Sequence, residues 1–187
     1  NPAHTYAADG NYVVVLTATN ACGTSTFTQT VAIITEPDAG FSASTTSGCG
    51  PLEVNYVNLS SENSTSWEWT FEGGTPATST EENPTVVYAA PGVYDVTLVA
   101  TGSGGSSTFT QQNFITVLAP PVGGFTFNQT QNSVAFTNTS TDATSYSWTF
   151  GDGGTSVEQN PTYTYTADGV YTVVLAATNN CGTTFVE

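Results

Sequence analysis

One phrase occurs three times in this chain and constrains what the chain can fold into. Residues 1–18 read NPAHTYAADGNYVVVLTA, 83–100 read NPTVVYAAPGVYDVTLVA, and 160–177 read NPTYTYTADGVYTVVLAA. Asn-Pro thus begins at positions 1, 83 and 160. A period of about eighty residues suits a small β-sandwich and is too long for a solenoid coil. The chain is therefore read as an array of domains, and its function belongs to the array more than to one pocket.

Laying the copies over one another separates two faces. Tyr94, Val96, Leu98 and Ala100 match Tyr12, Val14, Leu16 and Ala18, and also Tyr171, Val173, Leu175 and Ala177. The positions between them vary among Thr, Val, Asp and Ala. A fixed set at period two beside a variable set is what one buried and one solvated sheet face produce. Val54 and Tyr56 match Val134 and Phe136 in the same way, and Trp69 and Phe71 match Trp148 and Phe150. The expected core motif is Trp69, Phe71, Tyr94 and Leu98 in the middle copy, with Trp148, Phe150, Tyr171 and Leu175 in the third. Strands are predicted near 40–44, 52–56, 67–71, 94–100 and 108–117.

The copies divide the chain into residues 1–36, the C-terminal part of a repeat; 37–119, a complete repeat; and 120–187, a repeat lacking most of its last strand. Phe185 is read in the place of Phe27. The chain opens in mid-repeat without an initiator Met and is read as a slice of something longer. Linkers at 35–40 and 119–124 are short and contain Pro, which restricts bending. An all-β chain of sandwiches in an extended end-to-end array is expected.

Composition narrows the partners. The chain has no Lys and no Arg against fifteen Asp and Glu, for a net charge of −15. Such a surface cannot neutralise phosphates, which argues against nucleic acids and anionic membranes as partners. No apolar run reaches the eighteen or so residues of a membrane span, so membrane insertion is not expected. The 12 % of aromatic residues supplies the burial that disordered chains lack. Three Cys in a Thr-rich chain point to an oxidising compartment, extracellular or at the cell surface.

Three separated motifs carry a family resemblance. They are Tyr146-Ser147-Trp148-Thr149-Phe150-Gly151-Asp152-Gly153, then Asn160-Pro161-Thr162-Tyr163-Thr164-Tyr165, then Tyr171-Thr172-Val173-Val174-Leu175. In this order they resemble the PKD (polycystic kidney disease) domain family, and the likeness covers essentially the whole chain. The resemblance implies an immunoglobulin-like β-sandwich with no catalytic machinery, hence no enzyme. It also implies modules used in tandem on cell surfaces or beside secreted hydrolases. The family's Asp after the Trp is Thr70 and Thr149 here. The middle copy reads Phe71-Glu72-Gly73-Gly74, which puts a turn or metal role for its carboxylate in doubt.

Within such a sandwich, Cys22 and Cys181 share one repeat position, just before the last strand, where the middle copy has Gly104. Cys49 lies in the loop between the first and second strands of the middle repeat. In a head-to-tail array these loops of neighbouring repeats abut, so a Cys49–Cys181 disulfide is expected, with Cys22 bonded to a neighbouring repeat or chain. No cofactor is expected. Ca²⁺ at Asp152 or at a domain junction is the one metal considered, because fifteen uncompensated acids would attract a divalent ion. Glu62, Glu81, Glu82 and Asp142 are read as solvated loop acids, and His4 as a turn residue. Asn58, Asn63, Asn128 and Asn138 each open an Asn-x-Ser/Thr sequon and are glycosylation candidates, although Asn58 and Asn138 suit turn bonding. Trp67 and Tyr146 alternate with Glu68 and Ser147 and are assigned to the core, the other option being a sugar-stacking face.

The expected function is a structural or adhesive segment of a long secreted or surface protein: a stiff spacer, a stalk or a filament subunit. Its partners would be other copies of itself or neighbouring repeats, with surface polysaccharide or protein as further candidates. The alternative is a non-catalytic binding module attached to a secreted polysaccharide- or protein-degrading enzyme.

Overall fold

The structure, a computed structural model, describes all residues 1–187 and contains strands and no helix. The first copy supplies β1 (Gly10–Asn20) and β2 (Gly23–Ile33). The middle copy supplies β3 (Phe41–Ala43), β4 (Ser47–Cys49), β5 (Leu52–Asn58), β6 (Ser64–Phe71) and β7 (Gly74–Thr75). It continues with β8 (Thr78–Ser79), β9 (Thr85–Tyr88), β10 (Gly92–Gly102) and β11 (Gly105–Leu118). The third has β12 (Phe125–Thr130), β13 (Ser133–Asn138), β14 (Ser145–Thr149) and β15 (Thr155–Ser156), then β16 (Thr162–Thr164), β17 (Val174–Asn179) and β18 (Gly182–Val186). Strand orders are β4-β11-β10-β6-β8 and β3-β5-β9-β7 in the middle copy, and β15-β14-β17-β18 and β12-β13-β16 in the third; β1-β2 stands as a hairpin.

The chain forms two compact units. The first comprises Asn1–Ser44, Asn55–Val86 and Asp95–Gln112, and the second Thr45–Val54, Val87–Tyr94 and Asn113–Glu187. In the first, Trp69 and Leu98 are cross-strand partners and are both fully buried. Trp69 meets Phe41 at 5.3 Å and Tyr56 at 5.6 Å, which joins β6 to β3 and β5. In the second unit, Trp148 is fully buried and meets Phe125 at 5.1 Å and Phe136 at 5.4 Å. Rings at these separations add about 1 kcal/mol per pair to the gain from burial. The outer faces carry paired hydroxyls: Thr19–Thr24 at 3.1 Å, Thr97–Thr110 at 2.9 Å and Thr178–Thr183 at 2.8 Å.

The thrice-repeated phrase now has a physical reading. Asn83 Oδ1 accepts the Asn58 N–H at 2.9 Å, and Asn160 Oδ1 accepts the Asn138 N–H at 2.8 Å. The next residue continues the ladder, with Pro84 and Pro161 carbonyls accepting the Tyr56 and Phe136 N–H groups at 2.9 Å. Asn-Pro therefore closes a strand edge where proline's missing N–H costs nothing. Two residues before each Asn, the Glu81 and Glu158 carbonyls accept the buried indole N–H of Trp69 and Trp148 at 2.9 Å. The Tyr of the phrase donates its hydroxyl to a carbonyl four residues back: Tyr12 to Ala8, Tyr94 to Ala90 and Tyr171 to Ala167. This tyrosine corner folds the ring over the intervening Gly92, where a Cβ would stand 2.7 Å from the Tyr94 hydroxyl.

Several expectations are corrected. Tyr94 and Tyr171 are half-buried at these corners, stacked on Tyr88 at 5.3 Å and Tyr165 at 4.2 Å, and do not lie in the central core. Val96 and Leu98 of the complete repeat are fully buried as the pattern predicts; their counterparts Val14 and Leu16 are 44 % and 64 % exposed on the β1-β2 hairpin, the part of the first repeat that this sequence contains. Residues 85–88, outside the strands predicted from the sequence, form β9 and bury Val86 and Tyr88 completely. Phe185 does not occupy the place of Phe27: Val186 faces Leu175 as Phe27 faces Leu16, and Phe185 is exposed one residue out of step. Cys49 sits on the short strand β4, not in a loop.

Candidate functional site: the cross-linked repeat junction

Strand β4 pairs in parallel with the end of β11, setting Ser47, Gly48 and Cys49 beside Thr116, Val117 and Leu118. Cys49 is thereby fixed where the polypeptide leaves the middle repeat. The residues that follow, 119–122, are gripped by the third repeat. Asn179 Nδ2 donates to the Ala119 carbonyl at 2.9 Å and to the Asp142 carbonyl at 2.7 Å. Thr184 Oγ1 donates to the Pro121 carbonyl at 2.6 Å, and Val122 bridges to Thr141. The other side of the same Asn179 amide, Oδ1, accepts the Cys181 N–H at 2.7 Å. One side chain thus seats the linker and shapes the cysteine turn, and Cys181 meets Cys49 in a disulfide with Cα atoms 5.4 Å apart. That separation is ordinary for a disulfide.

In the middle repeat Gly102 stands where Asn179 does, and the linker is held from another position: Asn63, the counterpart of Asp142, donates its Nδ2 to the Thr35 carbonyl at 3.1 Å, and a Cβ on Gly104 would collide with that carbonyl. The linker there lies directly on the glycine. Cys22 occupies the equivalent turn in the first repeat, with its N–H on Asn20 Oδ1 at 2.8 Å; its thiol is free and exposed.

Asp152 closes the β14–β15 turn. Its Oδ1 accepts the Gly154 N–H at 2.9 Å, and the Tyr163 hydroxyl donates to Oδ1 and Oδ2 at 3.0 and 2.9 Å. The Gly154 amide holds the carboxyl below its usual 3.8 against the opposing effect of burial, and the Tyr163 hydroxyl adds a lesser lowering. The Tyr163 phenol is raised above 10.0, chiefly by its bond to Asp152 and then by burial. Tyr165 is raised as well, by burial first, and donates its hydroxyl to the Phe150 carbonyl at 3.0 Å. No three Asp, Glu, His or Cys side chains converge anywhere in the chain. In the middle repeat Val86 replaces Tyr163, and Glu72 instead accepts the Asp95 N–H at 3.3 Å.

The remaining candidates lie apart from the junction. Asn58 and Asn138 accept the N–H of Ser60 and Ser140 at 3.0 and 2.8 Å, closing turns inside their own sequons. The Asn63 amide is committed to Thr35, whereas Asn128 is exposed on β12. His4 packs edge-on against Tyr6 at 4.7 Å, and Glu62, Glu81, Glu82 and Asp142 are exposed. Trp67 and Tyr146 are half-buried; Tyr146 packs against the third-repeat core. Asn179, Thr184 and Tyr163 escaped the sequence reading. Asn179 and Asn20 both stand two residues before a Cys, which was the available signal.

With this geometry in view, residues 36–117 and 124–186 match the PKD domain family. The chain belongs to the PKD family. Among curated proteins, this PKD chain is 42 % identical over 66 residues to the pre-pro-metalloprotease PrtV of Vibrio cholerae serotype O1, strain M66-2. The PrtV of strain ATCC 39315 / El Tor Inaba N16961 matches equally. The matched stretch is 33 % of the PKD chain and only 7 % of the relative. Among solved structures, the amphioxus IgVJ-C2 molecule is similar at 12 % identity, covering 75 % of this chain and 96 % of that one with a TM-score of 0.40.

Proposed function

We propose that this PKD segment is a non-catalytic structural part of a secreted or cell-surface protein, and that it fixes the spacing and orientation of neighbouring modules. The observation carrying this reading is the Cys49–Cys181 bond, made between a strand of one repeat and a turn of the next. A second tie at the same place, Asn179 to the Ala119 carbonyl, would leave the linker little freedom to swivel. In the chain-entropy picture, a cross-link closing a sequence separation of 132 residues destabilises the unfolded chain by about 5 kcal/mol. Such a bond belongs to an oxidising compartment, which supports the extracellular placement.

The test places non-cysteine nitroxide labels at Glu53 and Thr155, one on each repeat. A narrow distance distribution is expected in the oxidised protein, and a broadened one in the Cys49→Ser/Cys181→Ser variant. Equal widths in both would remove the cross-link from the role assigned to it. Electron microscopy of concentrated protein tests the filament form of the reading.

The likeness to PrtV favours a second reading, an accessory module that binds substrate for a secreted hydrolase. Its partner would be a surface polysaccharide or a protein, and retarded migration in polysaccharide-containing gels would support it.

A further inference from the structure

We propose that the middle repeat carries a self-association edge: residues 105–112 of β11 pair antiparallel with the same residues of a second copy of this chain, joining two sheets into one. The inference concerns the side of one repeat and not its junction, so it does not rest on the spacer reading above.

Every strand of this repeat lies within 37–119, and both neighbours of β11 are present. β10 flanks it on one side and β4 on the other, but β4 covers only Thr116, Val117 and Leu118. A left-handed residue, Asn113 (φ 52°), separates that covered end from the start of the strand. Residues 105–112 therefore have no strand beside their outer side. The Ala39 N–H reaches this stretch at 3.4 Å, but on the Ser107 hydroxyl and not on the main chain.

Sheet edges of monomeric proteins are kept short, charged or interrupted by Pro, because a long neutral edge pairs with the next molecule. The other edges of the middle repeat follow this rule. The outermost strands β3, β4, β7 and β8 have two or three residues each. β5 outruns β3 at residues 52–54 and carries Glu53 there, and β6 outruns β8 at 64–68 and carries Glu68. The stretch 105–112, Gly-Ser-Ser-Thr-Phe-Thr-Gln-Gln, has neither charge nor Pro. Its exposed positions are also held fixed. Ser-Thr-Phe-Thr-Gln at 107–111 recurs residue for residue at 25–29, including the exposed Thr108 and Thr110, whereas solvated positions on the preceding strand vary from copy to copy.

Charge names the partner. A second copy brings fifteen acids and no Lys or Arg, so it can approach only where neither copy presents carboxylates. No Asp or Glu occurs between Asp95 and Asp142, a span that holds all of β11. Glu36 stands at one end of the stretch, beside Gly105. Antiparallel pairing sets the two Glu36 side chains at opposite ends, roughly 20 Å apart at about 3.4 Å per residue, beyond the screening length of about 8 Å at physiological salt. Two identical strands paired this way close on a two-fold axis, so assembly stops at a dimer.

The experiment uses the 187-residue protein with the Cys22 thiol capped by iodoacetamide, which prevents a new disulfide. Sedimentation equilibrium should show a monomer–dimer equilibrium whose association constant rises about tenfold between about 20 mM and about 500 mM sodium chloride. Amide exchange within 106–112 should slow about tenfold in the dimer. Thr108→Glu sets like charges across the shared sheet and should stay monomeric with native near-ultraviolet circular dichroism, because Thr108 is exposed. Mixing Thr108→Glu with Thr108→Lys should restore a one-to-one dimer. Three results would each overturn the proposal: a monomer at millimolar concentration in high salt; association of Thr108→Glu as strong as that of the unaltered protein; or protection on association that falls outside 106–112, as on the β1-β2 hairpin.

Discussion

At Asp152 a single carboxylate organises a turn, and its partners state the cost of losing it. The folded-state value of Asp152 is depressed, so the stability it contributes is present above the ordinary 3.8 and is lost as pH falls below it. Tyr163 behaves oppositely: its raised phenol contributes stability that is complete below 10.0 and lost as pH rises through the elevated folded value. In Asp152→Asn, the Tyr163 titration read by NMR should move back toward 10.0; no movement would show that the carboxylate is not its cause. Two tryptophans provide a second contrast. Trp69 donates its indole N–H to the Glu81 carbonyl, whereas Trp67 Nε1 is buried with no acceptor. An unsatisfied buried donor costs about 1–3 kcal/mol. Trp67→Phe should therefore be near neutral or stabilising, and Trp69→Phe destabilising by about 2–4 kcal/mol from lost volume plus an orphaned carbonyl. Urea melts of the two variants decide it, and equal losses would defeat the argument.

Strands were legible in the sequence wherever side chains alternate on a half-buried face, as at Trp69/Phe71 and Val96/Leu98, because the period of two is local information. What was lost is non-local. β9 follows Asn83-Pro84, and nothing within a few residues shows that Asn83 reaches across to Asn58, so this strand is absent from those the sequence predicts. Phe185 and Val186 are adjacent and both apolar; a one-residue slip turns every side chain over, and only pairing with Leu175 settles the register. The first copy carries the same pattern as the others, yet its Val14 and Leu16 are exposed, since a pattern names the face to be covered and not the cover. At the candidate site, Cys49 and Cys181 were legible from repeat position. The Asp152–Tyr163 bond had a signal that was not used: the middle copy lacks both residues, with Gly73 and Val86 near their places.

Taken as a molecule, the chain has fifteen acids and not one basic side chain besides His4. Ordinary domains lose surface attractions when electrolyte is added, because opposite charges are screened along with like ones. Here only repulsion among the carboxylates remains to be screened. Melting temperature should therefore climb steadily with sodium chloride from about 10 mM to about 500 mM, the range over which the screening length contracts from about 30 Å to a few ångströms. A fall in calorimetry across that range would contradict the argument. The Thr19–Thr24, Thr97–Thr110 and Thr178–Thr183 hydroxyl pairs on the outer faces are neutral contacts and carry no charge for salt to screen. A coat knitted from neutral alcohols offers brine nothing to dissolve.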